Sequence, residues 1–273
     1  MNRRVLRIAA PVALVVLVLA GYGLYQYVIV ADSPDEVTTE AALEQFAEDL
    51  EAEAVSADEM TDEVASVDES VVNETAAADE SGTSSPAGVE GTWTVDDEFG
   101  DFAFENASGS FAGFRVQKEL FVGGEQTAVG RSGDVTGSIT IADGAVSAGE
   151  IIVDMTSLQS DISARESAIK SAVDTGTFPT ASFFVGEPSA LDLAALDAGE
   201  TVSAGIIGEL TIAGTTNTET IRAEATVVGD GVALIVGTAD LTWADYGVDT
   251  PNSTAGTVQE SGILEVQLVV RLG

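Results

Sequence analysis

"VSAGIIGELTI", Val202 to Ile212, places Val202, Ala204, Ile206, Gly208, Leu210 and Ile212 on one face and the alternate positions on the other. A period of two with one apolar side is the signature of a strand that half faces an interior. The pattern returns in "TIRAEATVV", where Ile221, Ala223, Ala225 and Val227 oppose Thr220, Arg222, Glu224 and Thr226. It returns in "VTGSITI", with Val135, Gly137, Ile139 and Ile141 aligned, and the "ADG" turn at 142–144 leads into a strand running to about Met155. "GDG" at 229–231 makes another hairpin, into "VALIVGTADLTW". Finally "GILEVQLVVRL" sets Leu264, Val266, Leu268 and Val270 against Glu265, Gln267 and Arg271. Strands that each carry one apolar face wrap a single interior. Roughly eight of them in about 180 residues predict a mainly β fold, an antiparallel barrel closed on itself with no free edges.

One helix interrupts the strands. "SDISARESAIKSAVD" offers Ser163 with Glu166 three residues on, the spacing of a capping box, and an apolar stripe of Ile162, Ile169 and Val173. "TGTFPTASF", Thr175 to Phe183, follows it. Pro179 has no backbone N–H and disfavours a helical residue before it, so Phe178 leaves the helix and a strand begins beyond. The segment is read as a hinge that brings Phe178 and Phe183 into the barrel interior, with the helix at the barrel mouth.

Two other materials precede the strands. Residues 8–30, "IAAPVALVVLVLAGYGLYQYVIV", hold no charge and are long enough to span a bilayer with some tilt. Tyr22, Tyr25 and Tyr27 gather at one end, and Arg3, Arg4 and Arg7 stand before the run, which orients the N-terminus to the cytoplasm. A cleaved signal peptide is the alternative, with Val18 and Ala20 as its cleavage pattern; the length and the tyrosines favour an uncleaved anchor. Residues 31–90 carry 19 acids and no base. A short helix fits around Thr39 to Ala54, with Leu43, Ala47 and Leu50 on one face, but the unopposed charge predicts a disordered acidic linker. The expected organisation is therefore 1–30 cytoplasmic tip and transmembrane anchor, 31–90 acidic low-complexity linker, and 91–273 barrel domain. The barrel domain would lie outside the cytoplasm, on a single-pass protein of the cell membrane.

Composition narrows the chemistry. The chain has 273 residues, no Cys and no His, which removes Ser-His-Asp and Cys-His catalysis and imidazole or thiolate metal sites. An enzyme is not expected, nor a cofactor or metal. Its net charge of -36 repels phosphate backbones, so nucleic acid is not expected as a partner. With only two Lys, the acidic surface fits halophilic adaptation and biased genome composition equally.

"RSGDVTGSITI", "VDMTSLQSD", "RESAIKS", "TFPTASF", "IIGELTIAGTTNTETI" and "ADYGVD" follow one another in the order of a YceI-like domain, and the chain from about Thr92 to Gly273 resembles that family. The hinge falls on Phe178, Pro179, Ala181 and Phe183, and a G-x-L-T-x-x-G-x-T turn on Gly208, Leu210, Thr211, Gly214 and Thr216. The resemblance implies a lipocalin-like eight-stranded barrel binding polyisoprenoids or other long-chain lipids. The chain departs from the pattern in having no His, and in carrying Trp243 where many members have an Arg, ahead of Asp245, Tyr246 and Gly247.

The expected lining of the interior is Phe114, Val116, Ile139, Ile151, Val153, Met155, Phe178, Phe183, Ile206, Leu210, Trp243 and Tyr246. An eight-stranded barrel is of the size that either side chains or one small ligand can fill. The resemblance and the small residues Ala204, Gly208, Ala223 and Ala225 favour a ligand; the alternative is a filled barrel serving a structural or interaction role in the cell envelope. The expected partners are a long-chain lipid or isoprenoid and the membrane, through residues 8–30; a homodimer is left open.

Overall fold

The computed structural model describes residues 33–49, 88–121, 124–229, 231–250 and 256–273. The apolar run 8–30 and residues 50–87 of the acidic region lie outside the described residues. No helix among the described residues is long and apolar enough to cross a membrane.

Among the described residues twelve strands form one antiparallel sheet: β1 (Gly91–Val95), β2 (Phe111–Leu120), β3 (Gly124–Ser132), β4 (Val135–Ala142), β5 (Ala145–Asp154), β6 (Thr180–Val185), β7 (Ser189–Ala190), β8 (Val202–Ile212), β9 (Thr215–Gly229), β10 (Val232–Thr242), β11 (Gly256–Val258) and β12 (Ser261–Leu272). Eight of them close a ring in the order β1-β4-β5-β6-β8-β9-β10-β12, and β12 pairs back onto β1. β12 serves two neighbours on that side. Its last residues, Val270 to Leu272, pair with β1, whereas Ile263 to Gln267 pair with β2. The β2–β3 hairpin therefore continues the wall where β1 stops, and an isolated bridge from Arg131 to Gln159 ties it to the segment after β5.

The hairpins follow from local chemistry. Asp143 and Gly144 have φ of 53° and 76°, and Ala213 and Gly214 have 48° and 75°. Two successive left-handed residues give the primed turn whose twist matches the flanking strands.

Among the described residues three helices accompany the barrel: α1 over residues 39–49, α2 (Ser163–Ala172) and α3 (Leu193–Asp197), with a 3-10 turn at Trp243–Tyr246. The expected capping box does not form. Ile162, extended at the N-cap, precedes the helix with no side-chain cap, so Ser163 already lies inside the first turn. Glu166 instead pairs forward with Lys170 at 2.9 Å.

The larger correction concerns residues 33–49, expected to be disordered. They lie along the outside of the barrel. Thr39, Ala42 and Phe46, at i, i+3 and i+7, are buried, while Glu40, Glu44 and Glu48 face solvent. Leu43 is partly buried and Ala47 is exposed, so the face first expected is not the one that docks. Phe46 stacks on Phe99 at 4.4 Å and packs with Leu234, Val236 and Val269, which point outward from β10 and β12. The Thr39 hydroxyl donates to Glu224 at 2.5 Å. One-sided charge does not prevent folding here because the helix buries its apolar stripe on a ready-made surface and keeps its acids in water.

Beside this strap the polar face of β12 is sealed. Glu265 is fully buried, and accepts from Arg131 Nε at 2.7 Å and Arg115 Nε at 3.0 Å. Both guanidinium groups also donate to the Asp35 carbonyl of the strap, at 2.7 and 3.0 Å. Gln267, next in phase, donates to the carbonyls of Ala107 and Gly109.

Candidate functional site: the barrel cavity

The inward faces of the ring are not packed against each other. They enclose a cavity of 680 Å³ that runs between two groups of buried residues. One end is filled by Trp93, Val135, Leu196 of α3 and Leu268; the other is lined by Val116, Leu210, Leu241 and Trp243 and bordered by α2. Alternation places the walls: Ala204, Ile206, Leu210 and Ile212 of β8 face Ala223, Ala225 and Ile221 of β9 across the register, Ala204 opposite Ala223. Small side chains at those paired positions leave the space open.

Ten of the twelve residues expected in the interior line this cavity: Phe114, Val116, Ile139, Ile151, Val153, Met155, Phe183, Ile206, Leu210 and Trp243. Phe114 and Trp243 meet edge to face at 5.4 Å. Ile162, Ile169 and Val173 of the helical stripe join them.

Phe178 and Tyr246 do not. Phe178 is 37% exposed and its ring lies over Gly214, where an added Cβ would meet it at 2.4 Å. It stands five residues before Phe183, an odd interval, so alternation cannot turn both inward. Its amide is held by the Asp174 carbonyl at the helix end, and the inward phase of β6 belongs to Ala181, Phe183 and Val185. Tyr246 is buried in the wall of the 3-10 turn, with its hydroxyl donating to Glu219 at 2.8 Å. Burial, and then the Glu219 carboxylate, push that phenol upward, which keeps it protonated.

Three charged residues on the lining were missed, Lys118, Arg165 and Asp249. Lys118 of β2 and Arg165 of α2 both line the cavity. Lys118 was readable, because it continues the phase of Phe114 and Val116. Arg165 required the helix to be placed first. Its Nη1 donates to Asp161, whose side chain is 95% buried by its 5% exposure, and whose Oδ2 has no hydrogen-bond partner among the described residues. The remaining polar lining is Ser182, Asp249 and Thr250. Lys118, α2 and the residues after β10 all stand at the end where β5 finishes and β6 begins, so the charged lining collects at one end of an otherwise apolar chamber.

A closed antiparallel eight-stranded barrel around an apolar hollow, with a helix against one end, is the architecture of a barrel that can hold one small ligand. Within that class the chain belongs to the YceI-like domain family, whose model matches residues 102–270. β1 precedes the matched region, yet it is the strand that completes the ring.

Solved structures resemble it at low identity. A polyisoprenoid-binding domain from Saccharophagus degradans shares 15% identity with a TM-score of 0.50, over 66% of this chain and 98% of that one. Burkholderia cenocepacia BcnA shares 18% with a TM-score of 0.44, over 59% and 94%. A Campylobacter jejuni YceI protein shares 15% with a TM-score of 0.35, over 51% and 83%. Among curated proteins none matches the sequence.

Proposed function

We propose that this chain is a membrane-anchored, extracytoplasmic binding protein whose barrel holds one long apolar lipid of the polyisoprenoid kind. The cavity carries this reading. An engineered apolar cavity of about 150 Å³ stays dry and takes up benzene, and this one is 680 Å³. Left empty at about 24 cal/mol per Å³, it would cost on the order of 16 kcal/mol, as much as a whole domain's stability. Water is a poor filler, since almost nothing in the walls away from the α2 end can hydrogen-bond it. A long hydrocarbon answers both problems. The polyisoprenoid-binding domain with the same fold supports the class of ligand. The uncharged run 8–30, followed by an acidic region, supports anchorage with the barrel outside the cytoplasm.

Mass spectrometry of organic extracts from the purified full chain tests the binding. A stoichiometric prenyl or acyl lipid is the expected result; a folded barrel that yields none, and takes up none when offered, would leave the filled-barrel structural role. N-terminal sequencing of membrane-extracted protein tests the anchor, and a mature terminus near Gly21 would end it.

Two substitutions separate a hollow barrel from a packed one. Ala223→Phe places a ring in the cavity opposite Ala204. In a packed core such a change costs about 1–3 kcal/mol of stability; here the melt is expected to hold while lipid uptake is lost. Phe183→Ala removes an apolar wall near Leu210 and Gly208. At about 0.8 kcal/mol per buried CH₂, uptake is expected to weaken by roughly 1–3 kcal/mol. A loss of about 3–5 kcal/mol in the Phe183→Ala melt is what a dry, filled core would give instead.

A further inference from the structure

We propose that Lys118 and Arg165 form a recognition site for the anionic head group, phosphate or carboxylate, of the lipid held in the barrel. The inference rests on the lipid-binding reading and names the ligand's polar end.

The first ground is placement. Both cations line the cavity, at its α2 end, while the walls beyond them are aliphatic and aromatic. A single-chain amphiphile with its tail in the chamber therefore has its head beside them. The second is pairing. From residue 91 onward the chain has 7 basic residues against 27 acids. Arg115 and Arg131 pair with Glu265, Arg165 with Asp161, Lys170 with Glu166, Arg222 with Asp240 and Arg271 with Asp96. Lys118 alone has no carboxylate within ion-pair distance among the described residues. In so acidic a chain, a cation without a partner, facing an apolar cavity, is the group that lacks a counter-charge.

The third is mutual repulsion. Burial lowers the Lys118 ammonium's affinity for its proton, and the Arg165 charge beside it lowers it further. An anion between the two groups would reverse both penalties. Arg165 is suited to share it: its Nη1 is held by Asp161, and its other N–H groups meet no acceptor among the described residues. Asp161 fixes the guanidinium and neutralises part of its charge, so Lys118 contributes most of the net attraction. The other ionised group on the lining, Asp249, is exposed and solvated.

The test compares three probes of similar chain length on the full chain in phosphatidylcholine nanodiscs: geranylgeranyl monophosphate, a saturated long-chain fatty acid and neutral geranylgeraniol. Affinities come from displacement of one fluorescent acyl probe. The phosphate or the fatty acid is expected to bind about 10- to 100-fold more tightly than the alcohol, the range of one or two charge-assisted contacts. Which of the two leads distinguishes phosphate from carboxylate. In Lys118→Met that preference is expected to fall about 10-fold. Arg165→Gln, with its melt recorded because Asp161 loses its partner, is expected to reduce it too. Arg222→Gln, on the outer face, removes the same charge and is expected to leave the ratio alone. Equal affinity of all three probes for the wild type would overturn the head-group site and leave lipid binding standing, as would a preference that survives Lys118→Met and Arg165→Gln. Uptake of none would overturn both.

Discussion

Glu265→Leu is expected to destabilise the barrel by about 3–5 kcal/mol, the cost of removing one partner from a buried ion pair. Glu265 has no exposed surface, and its two oxygens receive one guanidinium each, Arg131 at 2.7 Å and Arg115 at 3.0 Å. Take the carboxylate away and two cations share a closed space, with the Pro34, Asp35 and Phe104 carbonyls as their remaining acceptors among the described residues. Arg131 has a further constraint: its guanidinium lies 4.6 Å over the Phe111 ring and cannot turn to water without giving up that contact. Thermal melts should fall by roughly 2–4 °C per kcal/mol for a domain of this size. Glu265→Gln keeps the shape and one acceptor but not the charge, and should lie between the two. Replacing all three groups by apolar residues of similar volume should recover most of the loss, because the pairing only offsets the desolvation it requires. A Glu265→Gln melt within about 0.5 kcal/mol of wild type, the range of an ordinary surface change, would show the cluster to be hydrated.

The inside of this barrel was readable because its code is local. Alternation assigns each side chain of a strand to a face with no knowledge of its neighbours, and Ile139 of β4, Phe183 of β6, and Ile206 and Leu210 of β8 line the cavity in the phase it gives. Phe178 was expected inside as part of a hinge and not by alternation, and it stays out because β6 begins only at Thr180, beyond the Pro. The outside was less readable because "polar face" does not mean "wet face". Glu265 and Gln267 carry polar atoms yet are as buried as any Val, covered by segments distant in sequence. Three residues did carry a signal. Leu234, Val236 and Val269 are apolar at outward positions, and Leu234 sits opposite Val269 in the register. An apolar patch on the outside of a barrel calls for a cover, and the helix over residues 39–49 of the acidic region supplies it. Charge counting over residues 31–90 averaged that stripe away.

That cover gives the last result to expect: Phe46→Ala should cost about 3 kcal/mol or more, as Phe truncations in packed sites do. Phe46 is 4% exposed and reaches a surface built from three sources, Phe99 of the loop after β1, Leu234 and Val236 of β10, and Val269 of β12. The loss has a ceiling. If the strap contributes less than the truncation removes, it detaches, and the melt can fall no further than that of a chain lacking residues 33–49. The two measurements belong together, and the deletion is expected to be at least as severe, since it also takes the Asp35 carbonyl from Arg115 and Arg131. The exposed acids Glu40, Glu44 and Glu48 provide the contrast: changed together to Gln, they should move the melt by no more than about 0.5 kcal/mol each, because all three are exposed to solvent. Superimposable melts for the wild type, Phe46→Ala and the deletion would mean that the strap does not dock. Large losses from both, with none from the acids, would mean that a short apolar stripe around Ala42 and Phe46 holds an acidic segment to an acidic barrel against their mutual repulsion.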